Sequence, residues 1–178
     1  VCSSDLLIDL NPSLVYRAGA ELQAHGHPVA AQGIVARAET LLRDRLKATP
    51  DDTRTRYDLA LAWYLTGRWE EAHRIIERLA AEEPGSLTYA GMLGTLAALR
   101  GDRREAEEIS AELVRAGGSR PSPGRTYWRA RIAAALGERD LAVRLMRQSF
   151  DQGNHFTLQL WHWIPELAGL AEDPPIDR

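Results

Sequence analysis

The stretch Gly67-Arg68-Trp69-Glu70-Glu71-Ala72, with the segment that follows it to Pro84, decides the fold. Gly67 interrupts a helical pattern, because glycine adopts backbone angles that residues with a Cβ avoid. After Gly67, apolar residues recur at steps of three and four, which predicts one apolar face of a helix. These residues are Trp69, Ala72, Ile75, Ile76, Leu79 and Ala80. Pro84 then ends the unit.

A glycine followed by an alanine five residues later occurs four times in the chain. The pairs are Gly26/Ala31, Gly67/Ala72, Gly101/Ala106 and Gly137/Ala142, so successive glycines are 41, 34 and 36 residues apart. A period near 34 residues with two helices per unit is typical of helical repeat arrays. A long second helix, predicted from Pro28 to about Lys47, accounts for the longer first step.

Capping residues and apolar spacing predict where the other helices lie. The first should begin at Asn11-Pro12 and end near Gly26, with one side buried. That side comprises Leu14, Val15, Ala18, Gly19 and Leu22. Asp51-Asp52 should cap the third helix, Ser86 the fifth, and Asp102 with Glu105 the sixth. The seventh and eighth should span Arg125–Leu136 and Arg139–Gln152, and a short last helix should run from Pro165 through Ala171.

Composition excludes several classes of protein. The 178 residues are 44% hydrophobic and carry a net charge of −3, which argues against a general nucleic-acid binder. Lys47 is the only lysine among 22 basic residues. The single cysteine, Cys2, rules out an internal disulfide and a thiolate metal cluster. No apolar run reaches the 18 residues of a membrane span, and we expect a cytoplasmic location.

The two ends of the chain depart from the repeat. Residues 1–10 are predicted to be a leader, disordered or artefactual, since Val1–Leu6 resembles translated sequencing-adapter read-through and a native start would then lie upstream. Residues 11–154 form the predicted helical repeat domain. Residues 155–178 are predicted to be a C-terminal cap and tail, because terminal repeats need atypical residues to cover their open face. Leu160, Trp161 and Trp163 suit that role.

The second unit resembles the tetratricopeptide repeat (TPR) family, whose motif spans about 34 residues. The matching residues are Leu59, Ala60, Trp63, Gly67, Ala72, Ile76, Leu79 and Pro84. The third unit departs from the motif at Ser110 and Gly118, and the fourth at Arg129 and Ser149. The resemblance covers about residues 12–154 and implies an all-α, right-handed superhelical array of about four helix pairs with a C-terminal capping helical segment.

The resemblance also implies a concave groove lined by the first helix of each pair. In the TPR register the candidate peptide-groove residues are Tyr16, Tyr57, Leu61, Tyr64, Thr95, Tyr127 and Arg131. Tyrosine offers a rigid contact area and one hydroxyl, which suits peptide recognition. The same tyrosines could instead only pack between neighbouring helices. The Lys and Asn positions with which some TPR proteins hold a C-terminal carboxylate do not occur here, so no clamp for acidic chaperone tails is predicted.

An arginine-rich stretch between Leu113 and Gly137 contains no acidic residue. Its basic residues are Arg115, Arg120, Arg125, Arg129 and Arg131, with Tyr127 and Trp128 among them. Such interleaving could hold an acidic protein segment or single-stranded nucleic acid. Neutralisation within the chain is the stronger interpretation, because acidic residues lie just before the stretch and in the tail. These residues are Glu107, Glu108, Glu112, Glu166, Glu172 and Asp173.

The sequence offers little for catalysis or metal binding. It has no Gly-x-Ser-x-Gly motif, and Cys2 lies in the leader. Adjacent acids such as Glu70 and Glu71 point in different directions on a helix and read as solvated faces. The five histidines are dispersed, whereas zinc needs three or four converging ligands. We therefore predict no enzymatic activity, no metal and no cofactor.

These observations predict a non-catalytic scaffold or adaptor module that binds a protein or peptide segment in its groove. The partner could be an upstream domain of the same chain. The alternative is a regulatory or sensing fragment of a multidomain bacterial signalling protein, without chemistry of its own. The tail His162–Leu167 resembles the closing segment of TPR modules in such proteins, which are often fused to kinase or winged-helix domains. Self-association through an open terminal repeat is a further alternative.

Overall fold

The structure, a computed structural model, describes residues 12–116, 122–154 and 164–168. Within these ranges every regular element is an α-helix, which confirms the all-α prediction. The helices are α1 (Pro12–Ala24), α2 (Pro28–Ala48), α3 (Thr53–Leu65), α4 (Trp69–Glu82), α5 (Leu87–Leu99), α6 (Arg103–Arg115), α7 (Pro123–Ala135), α8 (Arg139–Asp151) and α9 (Pro165–Ala168). The chain divides into two compact units, residues 1–75 and 76–178, and the division falls within α4.

The four periodic glycines have the backbone conformation that the sequence predicts. Their φ angles lie between 76° and 87°, in the left-handed region that residues with a Cβ rarely adopt. At Gly67, the next residue, Arg68, donates its N–H to the carbonyl of Trp63 at 2.9 Å. The carbonyl of Arg68 accepts from Ala72 N at 3.1 Å. One residue therefore ends α3 and begins α4, and the other three turns repeat these bonds.

The alanine five residues after each glycine donates the first backbone hydrogen bond of its helix. Its side chain is buried at every repeat, with at most 4% of its surface exposed. A methyl group at this position lets the two helices of a hairpin approach closely. Geometry therefore explains the Gly–Ala spacing. Gly153 (φ 99°) ends α8 in the same way, although the sequence period does not predict it.

Unit 1 packs one face of α1 against α2 and α3. Its core contains Val15, Tyr16, Val35, Ala38, Leu42, Leu59 and Ala62. Gly19 is a point of close approach between α1 and α2, because a Cβ there would collide with Val35. The prediction for the outer part of this helix was wrong: Leu14 is 54% exposed and Ala18 is also exposed. The described neighbours of α1 cover its Val15–Gly19 side and leave Leu14 uncovered.

Unit 2 packs α5 against α7 and α7 against α8 and α9. The indole ring of Trp128 lies on Gly91, and Ile132 lies on Gly94, so both glycines admit a neighbouring helix. A core cluster joins the last hairpin to α9; its members are Ala130, Ala133, Ala142, Leu145, Met146, Ile164 and Leu167.

Ser149 stands where an apolar residue is usual in the repeat, and its buried hydroxyl forms two hydrogen bonds. Its hydroxyl donates to the carbonyl of Pro123 at 2.8 Å and accepts from Asn154 Nδ2 at 2.9 Å. Thr126 adds a bond to Gln152 Oε1 at 2.8 Å. These polar contacts tie the start of α7 to the end of α8, where a buried hydroxyl needs such partners.

The helix caps follow the predictions in part. Asp52 accepts from Arg54 N at 3.1 Å, and Asp102 accepts from Glu105 N at 3.0 Å, as predicted. Ser86 precedes α5, but its side chain forms no capping hydrogen bond, so that prediction was wrong. Helix α7 begins at Pro123, two residues before the predicted start. The predicted leader, the Arg120 loop and the capping residues Leu160, Trp161 and Trp163 lie outside the described residues.

Candidate functional site

Two of the groove candidates in unit 1 are partly exposed, and two are buried. Tyr57 and Leu61 lie four residues apart on α3 and are half-buried, so they share one side of that helix. Tyr16 and Tyr64 are each only 3% exposed. Any contact of this unit with a partner would therefore fall on Tyr57 and Leu61 more than on the buried pair. The groove role of all four residues stays a prediction.

The Tyr16 hydroxyl is committed to a contact between α1 and α3. It donates to Asp58 Oδ1 at 3.2 Å, and Arg54 Nε donates to Asp58 Oδ2 at 3.1 Å. Burial, and secondly the negative charge of Asp58, raise the pKa of Tyr16 well above its ordinary value. The Arg54/Asp58 spacing of four residues is visible in the sequence, but the partner 42 residues away is not.

A second charged cluster in unit 1 surrounds Trp63. The guanidinium carbons of Arg68 and Arg43 lie 4.9 and 5.5 Å from the centre of its ring. Both arginines also bind the Glu39 carboxylate, Arg68 at 2.9 Å and Arg43 at 2.8 Å. Burial alone would raise the pKa of Glu39, but the indole of Trp63 and the two guanidiniums outweigh it and hold that pKa below its usual range. The cluster links α2 to the turn after α3.

The groove candidates in unit 2 are Thr95, Tyr127 and Arg131. Thr95 is fully buried, and its hydroxyl donates to the carbonyl of Gly91 at 2.9 Å. Tyr127 is half-buried on α7, with its ring centre 5.5 Å from that of Trp128. Burial, partly offset by the positive charge of Arg131, raises the pKa of Tyr127. Tyr127 is therefore a neutral aromatic surface at ordinary pH.

Arg131 has an acidic partner within the chain. Its Nε lies 2.6 Å from Glu166 Oε1, and the two side chains are 7% and 0% exposed. The guanidinium carbon lies 4.5 Å from the ring centre of Trp128 and 5.8 Å from that of Tyr127. Of the alternatives for the arginine-rich stretch, neutralisation within the chain therefore applies to Arg131. The sequence names Glu166 as one acid among several and gives no reason to pair it with Arg131.

Other arginines of the chain also pair with acids. Arg103 binds Glu138 at 2.6 Å and Glu107 at 3.0 Å, which joins α6 to the turn before α8. Arg115 lies 3.7 Å from Glu112. Through the described ranges, no three or more His, Cys, Asp or Glu side chains come together as a metal site would require. Nor does any helix there have the length and apolar character needed to cross a membrane.

The described residues contain four successive helix pairs. In each pair a glycine of positive φ joins the two helices, and a buried alanine lies five residues after it. This arrangement defines a helical-hairpin repeat protein. Comparison with protein families gives the same class in more detail. One tetratricopeptide repeat model matches residues 29–99, and a second matches residues 88–112 and 123–148, together well over half of the chain. The chain belongs to the tetratricopeptide repeat family. No curated protein and no solved structure matched it.

Tetratricopeptide repeats are in general protein–protein interaction modules and are typically non-catalytic. Membership therefore gives the general class of activity, which is binding to protein.

Proposed function

We propose that this chain is a non-catalytic interaction module that binds an extended or helical segment of a protein partner. Its contact residues are the partly exposed members of the candidate set, which are Tyr57 and Leu61 within unit 1 and, as a separate contact within unit 2, Tyr127. Binding of this kind involves no reaction and needs no cofactor. The buried candidates Tyr16, Tyr64 and Thr95 mainly support the helices that carry these contacts, and Arg131 is held by Glu166.

One observation supports this proposal most directly. Tyr57 and Leu61 lie half-exposed on α3, beside residues that are held firmly by other contacts. On one side of them Asp58 is bound by Tyr16 and Arg54, and Leu59 and Ala62 lie in the core. A rigid backbone with a partly exposed Tyr and Leu loses little conformational entropy when a partner binds, which favours affinity. Aromatic residues in such positions often dominate binding energy.

Selection from a peptide library tests the proposal. A library of random peptides about 12 residues long on phage should enrich sequences that bind the full chain, and calorimetry should then give their dissociation constants. The double substitution Tyr57→Ala/Tyr127→Ala should weaken binding by about 100-fold, which corresponds to roughly 3 kcal/mol.

Tyr89→Ala is the matched control, since Tyr89 is a half-buried tyrosine of α5 outside the candidate set. Circular dichroism should show the same helical content in all variants. Enriched peptides that bind the double variant as tightly as the wild type would contradict the assignment of these residues. Enrichment of no peptide at all would contradict the proposed function itself.

A further inference from the structure

The contact between α7 and α9 has the form of a bound ligand. Glu166 reaches a guanidinium that lies against the rings of Tyr127 and Trp128, and its Oε1 is 2.6 Å from Arg131 Nε. The side chain of Glu166 is fully buried, and that of Arg131 is nearly so. A buried charge that is hydrogen-bonded and covered by aromatic rings discriminates strongly for a carboxylate.

Apolar contacts flank the carboxylate on both sides. A turn in which Leu167 N donates to Ile164 O at 2.9 Å directs Ile164 and Leu167 into the same core cluster. There they meet side chains of α7 and α8, including Ala130, Leu145 and Met146. The site thus accepts three side chains in a fixed order: an aliphatic residue, then, two positions later, a glutamate, and directly after it a second aliphatic residue.

We propose that this surface of α7 and α8 is a binding site for a partner segment of that pattern, and that α9 occupies it in cis as an autoinhibitory ligand. The ligand is a protein segment with the order aliphatic–any–Glu–aliphatic. The inference rests on the proposed function, since it identifies a partner class and a mode of regulation for the α7 surface that carries Tyr127.

The Arg131–Glu166 ion pair supports occupation that a competitor can reverse. A permanent cap would gain more from an apolar pair at these two positions, because a buried ion pair contributes little net stability. The pair instead contributes selectivity for a carboxylate, which a binding site needs and a cap does not.

The flanking apolar contacts also favour protein over nucleic acid as the competitor. A phosphate could approach Arg131, but it would leave the places of Ile164 and Leu167 unfilled. A segment that supplies both aliphatic groups and the carboxylate replaces the contacts of Ile164, Glu166 and Leu167 described above.

Competition with a labelled peptide tests the inference. The probe is a fluorescein-labelled peptide with the sequence of residues 164–170, and its control carries Gln in place of the glutamate. Both are titrated with the full chain and with its Glu166→Gln and Arg131→Met variants, and fluorescence anisotropy reports binding. If α9 fills the site for about nine-tenths of the time, its release improves the apparent affinity about tenfold.

We expect the Glu166→Gln chain to bind the probe about tenfold more tightly than the wild type does. It should discriminate against the control peptide, and Arg131→Met should remove that discrimination. Equal affinity of wild type and Glu166→Gln for the probe, or equal affinity of Glu166→Gln for both peptides, would overturn the inference. Selected peptides whose affinity falls with Tyr57→Ala alone test the proposed function separately, because Tyr57 lies in unit 1 whereas Arg131 and Glu166 lie in unit 2.

A measurement on the wild type guards against variants that fail to fold. Tethered segments act at effective concentrations on the order of 1 mM, so several millimolar probe should displace α9. Hydrogen exchange of the Leu167 amide should then accelerate, while amides of α7 remain protected. Unchanged exchange at Leu167 under these conditions would refute the autoinhibitory role.

Discussion

Gly91→Ala provides a sharp test of how α5 and α7 meet. A Cβ at position 91 would lie 2.6 Å from Cε2 of Trp128, and closer still to two other ring carbons. Carbon atoms in contact are normally about 3.5–4.0 Å apart, so the indole must retreat by about 1 Å or more. Overpacking of this kind costs about 1–3 kcal/mol or more, and the better helix propensity of alanine returns about 1 kcal/mol.

We therefore expect Gly91→Ala to lower the free energy of unfolding by about 1–2 kcal/mol, the overpacking cost less the gain in helix propensity. Gly33→Ala is the matched control, because Gly33 lies in α2 and a Cβ added there would meet no atom within 4 Å. There the same chemical change should raise stability by about 0.5–1 kcal/mol. Urea unfolding followed by circular dichroism measures both values.

A double-mutant cycle identifies the cause of the loss. In a Trp128→Leu background the smaller side chain leaves room for the methyl group, so Gly91→Ala should cost at least about 1 kcal/mol less than in the wild type. An equal cost in both backgrounds would refute the explanation by a collision with the Trp128 ring. So would a Gly91→Ala chain that is as stable as the Gly33→Ala chain.

Three further outcomes can be measured in the same way. The pKa of Tyr16 is higher in the folded state than its unfolded value of about 10. The stabilisation that comes from the protonated hydroxyl is therefore complete below that pH and is lost as the pH rises further. Tyr16→Phe should flatten this alkaline decline of the free energy of unfolding in urea titrations. Arg131→Met should cost no more than about 1.4 kcal/mol, because α9, which is docked about nine-tenths of the time, detaches when Glu166 loses the guanidinium, whereas Arg131→Met/Glu166→Leu should recover most of the loss; a double variant less stable than the single one would contradict this. Gly101→Ala, at a φ of 87°, should cost about 1 kcal/mol, while Gly85→Ala should change stability by less than about 0.5 kcal/mol; equal effects on thermal unfolding would count against the role of the left-handed turn.

Features set by residues close together in the sequence could be predicted. The left-handed turn at Gly67, the buried Ala72 and the cap at Asp102 each depend on a few neighbouring residues. Their recurrence at a fixed period strengthened the prediction. The exception is Ser86, which has the right residue type at the right position and still forms no capping bond.

Features set by distant residues could not be predicted. Tyr16 and Asp58 are 42 residues apart, and Arg131 and Glu166 are 35 apart. The chain contains 25 acidic residues, so charge alone does not say which of them meets a given arginine. The exposure of Leu14 could not be predicted for a related reason: the apolar spacing of α1 shows which residues are suited to burial, but not which faces have a neighbour.

In each glycine turn one residue, such as Arg68, is hydrogen-bonded to both helices of the hairpin, and this affects how the chain tolerates changes of length. Three residues separate the helices of every hairpin, and the last of them bonds backward to one helix and forward to the next. An insertion or deletion of one residue there would break one of these two bonds. The connections Thr49–Asp52 and Glu83–Ser86 contain no glycine of positive φ, and their last residue bonds backward to the connection itself rather than to the preceding helix. Relatives of this chain should therefore vary in length between hairpins and keep the hairpin turns constant.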